Sequence, residues 1–495
     1  MKVKSRKTWS ILIASVLILA ALVSAAWLLF FRAAAPPGDY STLSWTRAFD
    51  KMYAQLSSEY AFTDWKQIDW DGLYGEYAPQ ISQAQETNDF NAYYLALRKF
   101  LTELPDGHVS LTSLREIDDL YIGGGFGFSA VQLSDGSVIA AWVDESGPAY
   151  ASGMRAGDVI TKWNGDGIGD ALVRVFTGFG GASATTENLT LKQVQYLTRA
   201  PVGTEVEITF LHDVDTSPRT VALTAYDDGR HSLEKSYPGA VLSDKIRSMY
   251  LGIDDPNPVP KAMAESKELD GGIFYIKIWG ELDADLRDTG TAPSTLDLFR
   301  QAIDEANEKG AKAIILDIRN NLGGLDDMSA AVLGSFYTEK TLYEYQNVYD
   351  RSTGKRALQQ VNGEDALYIE PTEEYFGGTV ICLINQKCVS SGEGIAMGIQ
   401  KLPNGETLGL YGTSGSFGLV GAEIAMPGGL TVHYPSGQSL DADHQIQIDS
   451  TGGIGGVSPS VRIPMTKENA IRLAAGEDVE LEAAIKIIAE GKLAS

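Results

Sequence analysis

The segment Ala311–Ile318, Ala-Lys-Ala-Ile-Ile-Leu-Asp-Ile, constrains the fold more than any other part of the chain. Side chains of a β-strand alternate between two faces, so a run that is apolar at nearly every position must be covered on both. Thr379–Asn385 has the same character. Strands of this kind belong to mostly parallel sheets with helices on each side. The neighbouring segments supply the helices: Pro293–Glu308 is amphipathic and opened by Pro-Ser, and Asp327–Tyr337 and Ser391–Gln400 follow. Gly272–Ile278, Thr407–Tyr411 and Glu423–Tyr434 read as further strands. This rhythm over 270–465 predicts an α/β core within a section spanning 235–492, closed by a helical region at 467–492.

Two other sections precede this core. Trp45, Phe49, Met52, Tyr53 and Leu56 fall at near-helical spacing, as do Tyr93, Leu95, Leu97 and Leu101. Pro105-Asp106-Gly107 then turns the chain. Residues 41–118 are expected to form a small helical domain that presents a loop at 105–110. Beyond it the pattern changes to strands: Ala130–Leu133, Val138–Val143, Asp158–Trp163 closed by Asn164-Gly165, Glu205–Leu211 and Arg219–Ala225. With its glycine-rich start at Gly123–Phe128 and its Pro-Ala…Ala-Gly-Asp-Val-Ile…Asn-Gly stretch, the section 120–228 resembles a PDZ domain. That resemblance implies recognition of peptide ends, with a terminal carboxylate held near Gly124, Gly125, Phe126, Gly127 and Phe128. The stretch 174–199 is longer than a minimal PDZ domain needs.

Lys2, Lys4, Arg6 and Lys7 precede an uncharged, mostly apolar run from Trp9 to Phe31. A helix needs about 20 residues to cross a bilayer core, whereas a secretory apolar region has about 7–15. Residues 1–35 are therefore expected to be a cytoplasmic stub and a transmembrane signal anchor, a single pass that leaves the bulk of the chain outside the cell membrane. Cleavage after Ala33–Ala35 is the alternative, and 33–40 read as a linker. The net charge is −25, and no acid lies in the first 32 positions, so the remainder is more acidic still. Such a surface repels phosphate backbones and carries no basic cluster for nucleic acid. Two cysteines, Cys382 and Cys388, are too few for a disulfide framework and read as small buried residues. No metal or organic cofactor is implied.

Three segments could carry chemistry. In Val380–Gly398 an apolar strand ends near Asn385 and a helix opens just beyond Ser390. A nucleophile there gains from unpaired helix-start N–H groups and from the positive end of the helix dipole. Ser390 or Ser391 could equally be an N-cap. Gly323-Gly324 follows the Ala311–Ile318 strand, where two glycines let backbone donors approach a ligand. Such a pair is also a common turn. His108, one of five histidines, sits in the turn Leu104-Pro-Asp-Gly-His-Val-Ser. A lone histidine is often structural.

In chain order, with a PDZ-like section between the His108 turn and the other two, these segments resemble the C-terminal processing and tricorn-core group of serine peptidases. Asp317-Ile-Arg-Asn-Asn-Leu-Gly-Gly324, the strand Gly272–Trp279 and Gly456-Val-Ser-Pro459 add to the likeness. The resemblance implies a core of ClpP/crotonase-like type, protein or peptide substrates, and acyl-enzyme chemistry. Ser390 would be the nucleophile, with Gly323, Gly324 and Ser391 forming the oxyanion hole. One branch of this group uses a serine–lysine dyad, but no lysine lies between Lys401 and Lys467. The other uses a histidine, often in an Asp-Gly-His turn, and Asp106-Gly107-His108 fits it. The acid usually found ahead of the closing Gly-Val-x-Pro is replaced by Gly452-Gly453, so the third member is open. Glu393, Asp449 and Lys387 are possible accessory residues. Two other functions fit the same sequence: a peptide-binding scaffold of this fold without activity, and a crotonase-like acyl-CoA enzyme.

Overall fold

The structure is a computed structural model and describes residues 38–212, 217–236, 263–283 and 294–491. The apolar run Trp9–Phe31, expected to span a membrane, lies outside them. Among the described residues, no helix is long and apolar enough to cross a membrane.

The strand predicted at Ala311–Ile318 is observed at Ala313–Asp317, and all five of its residues are buried. It lies near the centre of a six-stranded sheet. Ala264–Leu269 runs antiparallel to Ile273–Ile278. From Ile273–Ile278 onward the order is Ala313–Asp317, Thr379–Leu383, Gly405–Gly409 and Val461–Arg462, all parallel. Alternation explains the uninterrupted apolar run. Ile314 and Leu316 pack with Phe299, Ile303, Leu333 and Ile395 on one face. Ile315 faces the opposite way, towards Ile381, Leu408 and the closing helix Val479–Glu490. Arg319, at the end of the central strand, ion-pairs with Asp317, Asp478 and Glu480, which ties that end to the closing helix.

The residues expected as strands at Glu423–Tyr434 do not join this sheet. They form a long hairpin, Gly418–Met426 and Leu430–Leu440, in a second, antiparallel sheet with Thr341–Asp350. The expected helical section contains Trp45–Glu59, Trp70–Thr87 and Phe90–Thr102. Asp69 and Asp89 cap the second and third through the amides of Gly72 and Ala92. The helices bury their apolar faces on the hairpin, through Ile424, Met426, Val432 and Tyr434. Ser110–Leu111 then pairs with Val432 and His433 of the hairpin. This fixes the loop at 105–110 against the core.

Residues 128–224 form an antiparallel sheet in the order Phe128–Gln132, Val138–Val143, Val159–Trp163, Glu205–Leu211 and Arg219–Thr224. The extra length at 174–199 supplies the helix Thr186–Leu197, whose Val194 and Leu197 pack with Phe128 and Ala130. The glycine-rich start differs from expectation. Gly124-Gly125 is a short strand paired on both sides, with Tyr226-Asp227 and with Arg199-Ala200. Phe126 and Phe128 are buried in the core, and Gly127 is buried with them. Gly124 and Gly125 are therefore engaged by neighbouring strands on both sides, and the side chains of Phe126 and Phe128 are enclosed, so this segment is not displayed as an open peptide-end site.

Candidate active site

The covered strand Thr379–Leu383 must leave the sheet and re-enter as a helix. Asn385 makes the turn, with its Oδ1 accepting the amides of Asn320 and Lys387. Cys382 and Cys388 are both buried free thiols. The helix is Ser391–Gln400, and Ser390 precedes it with φ 59° and ψ −133°. Residues with a Cβ avoid this region, and a residue held there costs of order 1–3 kcal/mol. An N-cap would be extended and its oxygen would accept an amide. Ser390 is not extended and makes no capping hydrogen bond. The conformation is held from both sides. Its N–H donates to Ser416 O at 3.0 Å, and its carbonyl accepts Glu393 N–H at 2.7 Å.

The Gly323-Gly324 loop lies directly against it. A Cβ at Gly323, where φ is +77°, would stand 2.6 Å from Ser390 Cβ. Of the three expected oxyanion donors, one is corrected: the Gly323 N–H donates to Asn321 Oδ1 at 2.8 Å. The amides of Gly324 and Ser391 have no protein acceptor among the described residues. The Ser391 hydroxyl holds the two segments together, 3.0 Å from Gly324 O and 2.8 Å from Asp326 Oδ1. Behind the loop, Asn321 Nδ2 donates to Glu281 Oε1 at 2.7 Å. Burial pushes the Glu281 carboxyl up to about 8, so it is protonated near neutrality.

His108 reaches the same place from the helical section. Gly107 N–H donates to Ser416 Oγ at 2.7 Å, while Ser416 O holds the Ser390 amide. One residue thus bridges the histidine turn and the serine. His108 Nδ1 is 3.3 Å from Asp106 Oδ1, and its Nε2 is buried with no hydrogen-bond partner among the described residues. Burial alone would lower the imidazole pKa. The Asp106 hydrogen bond and the charges of Asp106, Asp449 and Glu393 outweigh it and raise the value. Asp106 is completely buried, yet its carboxyl titrates below the usual range. Burial opposes ionisation there, but the ammonium of Lys66 and the His108 ring favour it. Tyr60 OH adds a hydrogen bond at 3.0 Å.

The accessory residues divide. Glu393 faces the 413–416 loop. Its two oxygens accept Gly415 N–H at 2.6 Å and Ser416 N–H at 2.8 Å. Burial pushes it up to about 7. Asp449 accepts Phe417 N–H and ion-pairs with Lys66 at 2.6 Å, so it acts on the imidazole through its charge rather than by contact. Lys387 lines a cavity beside Val389, and burial pushes it down to about 8. Asp106, Lys66 and Ser416 were not singled out by sequence. The signal for Asp106 was present, two residues before the histidine. Lys66 and Ser416 are brought in only by tertiary packing.

Two families match parts of the chain: peptidase family S41 over residues 273–463, and the tricorn protease C1 domain over residues 41–93. No curated protein sequence matches. Among solved structures, mature CPAF complexed with lactacystin is similar at 14% identity and a TM-score of 0.62, covering 90% of this chain and 98% of that one. Mature CPAF alone gives the same identity and TM-score, with 90% and 97% covered. The photosystem II D1 C-terminal processing protease shares 18% identity over 89% of this chain and 99% of that one, with a TM-score of 0.37. At such identities the likeness to CPAF shows the fold alone.

Proposed function

We propose, from the match of residues 273–463 to peptidase family S41, that the chain is a membrane-anchored serine endopeptidase working outside the cytoplasm through Ser390, His108 and Asp106. The observation that carries the reading is the strained backbone of Ser390 at the start of a helix. Strain of this kind persists where a side chain must be displayed rather than packed. It also favours an active enzyme over an inactive scaffold of the same fold.

The chemistry is acyl transfer. Ser390 Oγ attacks the peptide carbonyl carbon while His108 Nε2 takes its proton. Asp106 holds the Nδ1–H and stabilises the imidazolium that forms. The carbonyl oxygen becomes an anion facing the amides of Gly324 and Ser391, each such donor being worth about 10²–10³ in rate. Collapse breaks the C–N bond, and His108 hands its proton to the leaving amine. Water then attacks the acyl-serine by the same route and frees Ser390.

The section 128–224 serves as a PDZ-like module. A substrate strand would add along the terminal strand Phe128–Gln132, beside the helix Thr186–Leu197, rather than at Gly124–Phe128. Residues 1–35 would hold the protein in the membrane.

The test is covalent labelling of the full-length protein by a serine-directed phosphonate, followed by peptide mapping. Label on Ser390, lost in Ser390→Ala, is expected. Failure to label, together with no cleavage of unfolded proteins, would sink the peptidase reading. Full activity in His108→Ala would move the base to Lys387.

A further inference from the structure

A cavity of about 390 Å³ opens beside the nucleophile, with Gly107, Val389 and Ser414 in its wall. It lies where the helical section, the PDZ-like section and the core meet. Two of its lining residues are lysines from different sections: Lys192 on the helix Thr186–Leu197, and Lys387 on the turn before Ser390. Lys192 is only 5% exposed. Its ammonium donates to the carbonyls of Gly181 at 2.9 Å and Ala182 at 2.8 Å, and has no carboxylate partner among the described residues. The one carboxylate in the wall, Asp118, is already engaged. It accepts Tyr94 OH at 2.8 Å and Ser113 Oγ at 2.5 Å, and lies 3.5 Å from Arg98. Arg230, also in the wall, is paired with Asp119.

A buried ammonium held only by carbonyls is costly in a chain so rich in acid. Burial and the positive charge of Lys387 both disfavour its charged form. An anion in the cavity would favour the charged form of both lysines at once. We infer that this cavity is a substrate subsite for a carboxylate, which Lys192 and Lys387 bind next to the scissile bond. The inference rests on the peptidase reading and gives it a substrate class: peptides with an acidic side chain, or a free C-terminus, close to the cleaved bond. Both sources present the same group to the same two ammonium ions.

The test uses the full-length Ser390→Ala protein, so that binding is read without turnover, and calorimetry with two pairs of alanine-rich peptides. In the first pair a central Glu is exchanged for Gln with both ends blocked. In the second the C-terminus is a free acid or an amide. The acid member of at least one pair should bind about tenfold or more tightly, as charged hydrogen bonds allow. The pair that discriminates identifies the source. Adding Lys192→Met should bring the acid-to-neutral ratio close to one. Lys387→Gln, on a different element, is the companion variant should Lys192→Met lower the melting temperature sharply. No discrimination in either pair would overturn the inference. So would a ratio that survives both substitutions. Cleavage by the unmutated protein tests the peptidase reading separately. A protein that binds with this preference but cleaves nothing keeps the subsite and loses the peptidase.

Discussion

His108 Nδ1 stands 3.3 Å from Asp106 Oδ1, and the same oxygen accepts the His108 backbone N–H at 2.9 Å. The acid that orients the imidazole therefore comes from the histidine's own turn. In the proposed mechanism it takes the place of the acid that the Gly452-Gly453 stretch lacks. Asp106→Asn keeps the shape of the turn but removes the charge and can present the wrong group to Nδ1. A loss in kcat on the order of 10³–10⁴ is expected, with KM little changed. Steady-state kinetics on one peptide substrate checks it, and a loss below tenfold would place the orienting acid elsewhere.

The pH dependence follows from the same contact. In the proposed mechanism His108 acts as a base only when neutral, and its pKa is raised because the Asp106 hydrogen bond and the charges of Asp106, Asp449 and Glu393 outweigh burial. The charged form is favoured, so kcat/KM should climb with pH through a midpoint above the ordinary histidine value of about 6.5. In Asp106→Asn the hydrogen bond and nearest charge are gone, burial gains weight, and the midpoint should move down. A profile of kcat/KM from pH 5 to 9 reads both. A midpoint that does not move between the two proteins contradicts the assignment.

How far the sequence reveals this site depends on the range of each signal. The covered strands Ala313–Asp317 and Thr379–Leu383 were legible because burial on both faces leaves an unbroken apolar run. The helix after Ser390 was legible from the glycine and apolar pattern that follows it. The hairpin of Gly418–Met426 and Leu430–Leu440 was seen as strands but not as a separate sheet, since its partner is Thr341–Asp350, far away in sequence. At Gly124-Gly125 the glycines of the PDZ-like start admit a neighbouring strand on each side, partners that lie far away in sequence. Gly323 misled because Asn321, two residues earlier, takes its N–H. Lys66 meets Asp106 and Asp449 across the fold, and no local pattern announces a contact of that kind.

Gly323 carries two separable demands. Its φ is +77°, and an added Cβ would meet Ser390 Cβ at 2.6 Å and Val389 O at 2.9 Å. Gly136 shares the backbone demand, with φ +87°, but an added Cβ there meets nothing within 4 Å. Gly136→Ala should therefore lose about 1–2 kcal/mol from backbone strain with activity intact. Gly323→Ala should lose more stability than that and most of its activity, because Ser390 must shift. Denaturant melts and kcat for the two variants make the comparison. Equal effects on activity would mean that the contact with Ser390 is unimportant.

Lys66 is the counter-charge behind the histidine. Its ammonium lies 2.6 Å from Asp449 and 3.7 Å from Asp106, with the lysine side chain 1% exposed and both carboxylates fully enclosed. Burial disfavours its charge, and the two carboxylates together outweigh that effect, raising its pKa. Lys66→Met leaves two buried acids with no cation between them. Removing one partner of such a group costs about 3–5 kcal/mol. The sign with pH is definite. Burial already pushes the Asp449 carboxyl up to about 6 beside Lys66; without Lys66 it rises further and Asp106 keeps only His108 to oppose burial, so ionising the pair opposes folding more. The destabilisation should be large at pH 8 and shrink towards pH 5 as the carboxyls take up protons. Adding Asp449→Asn removes one of the two charges and should recover part of the loss at pH 8. Melting curves at both pH values for the single and double variants read this directly. A loss that is equal at pH 5 and pH 8 would mean that Lys66 stabilises the site by packing alone.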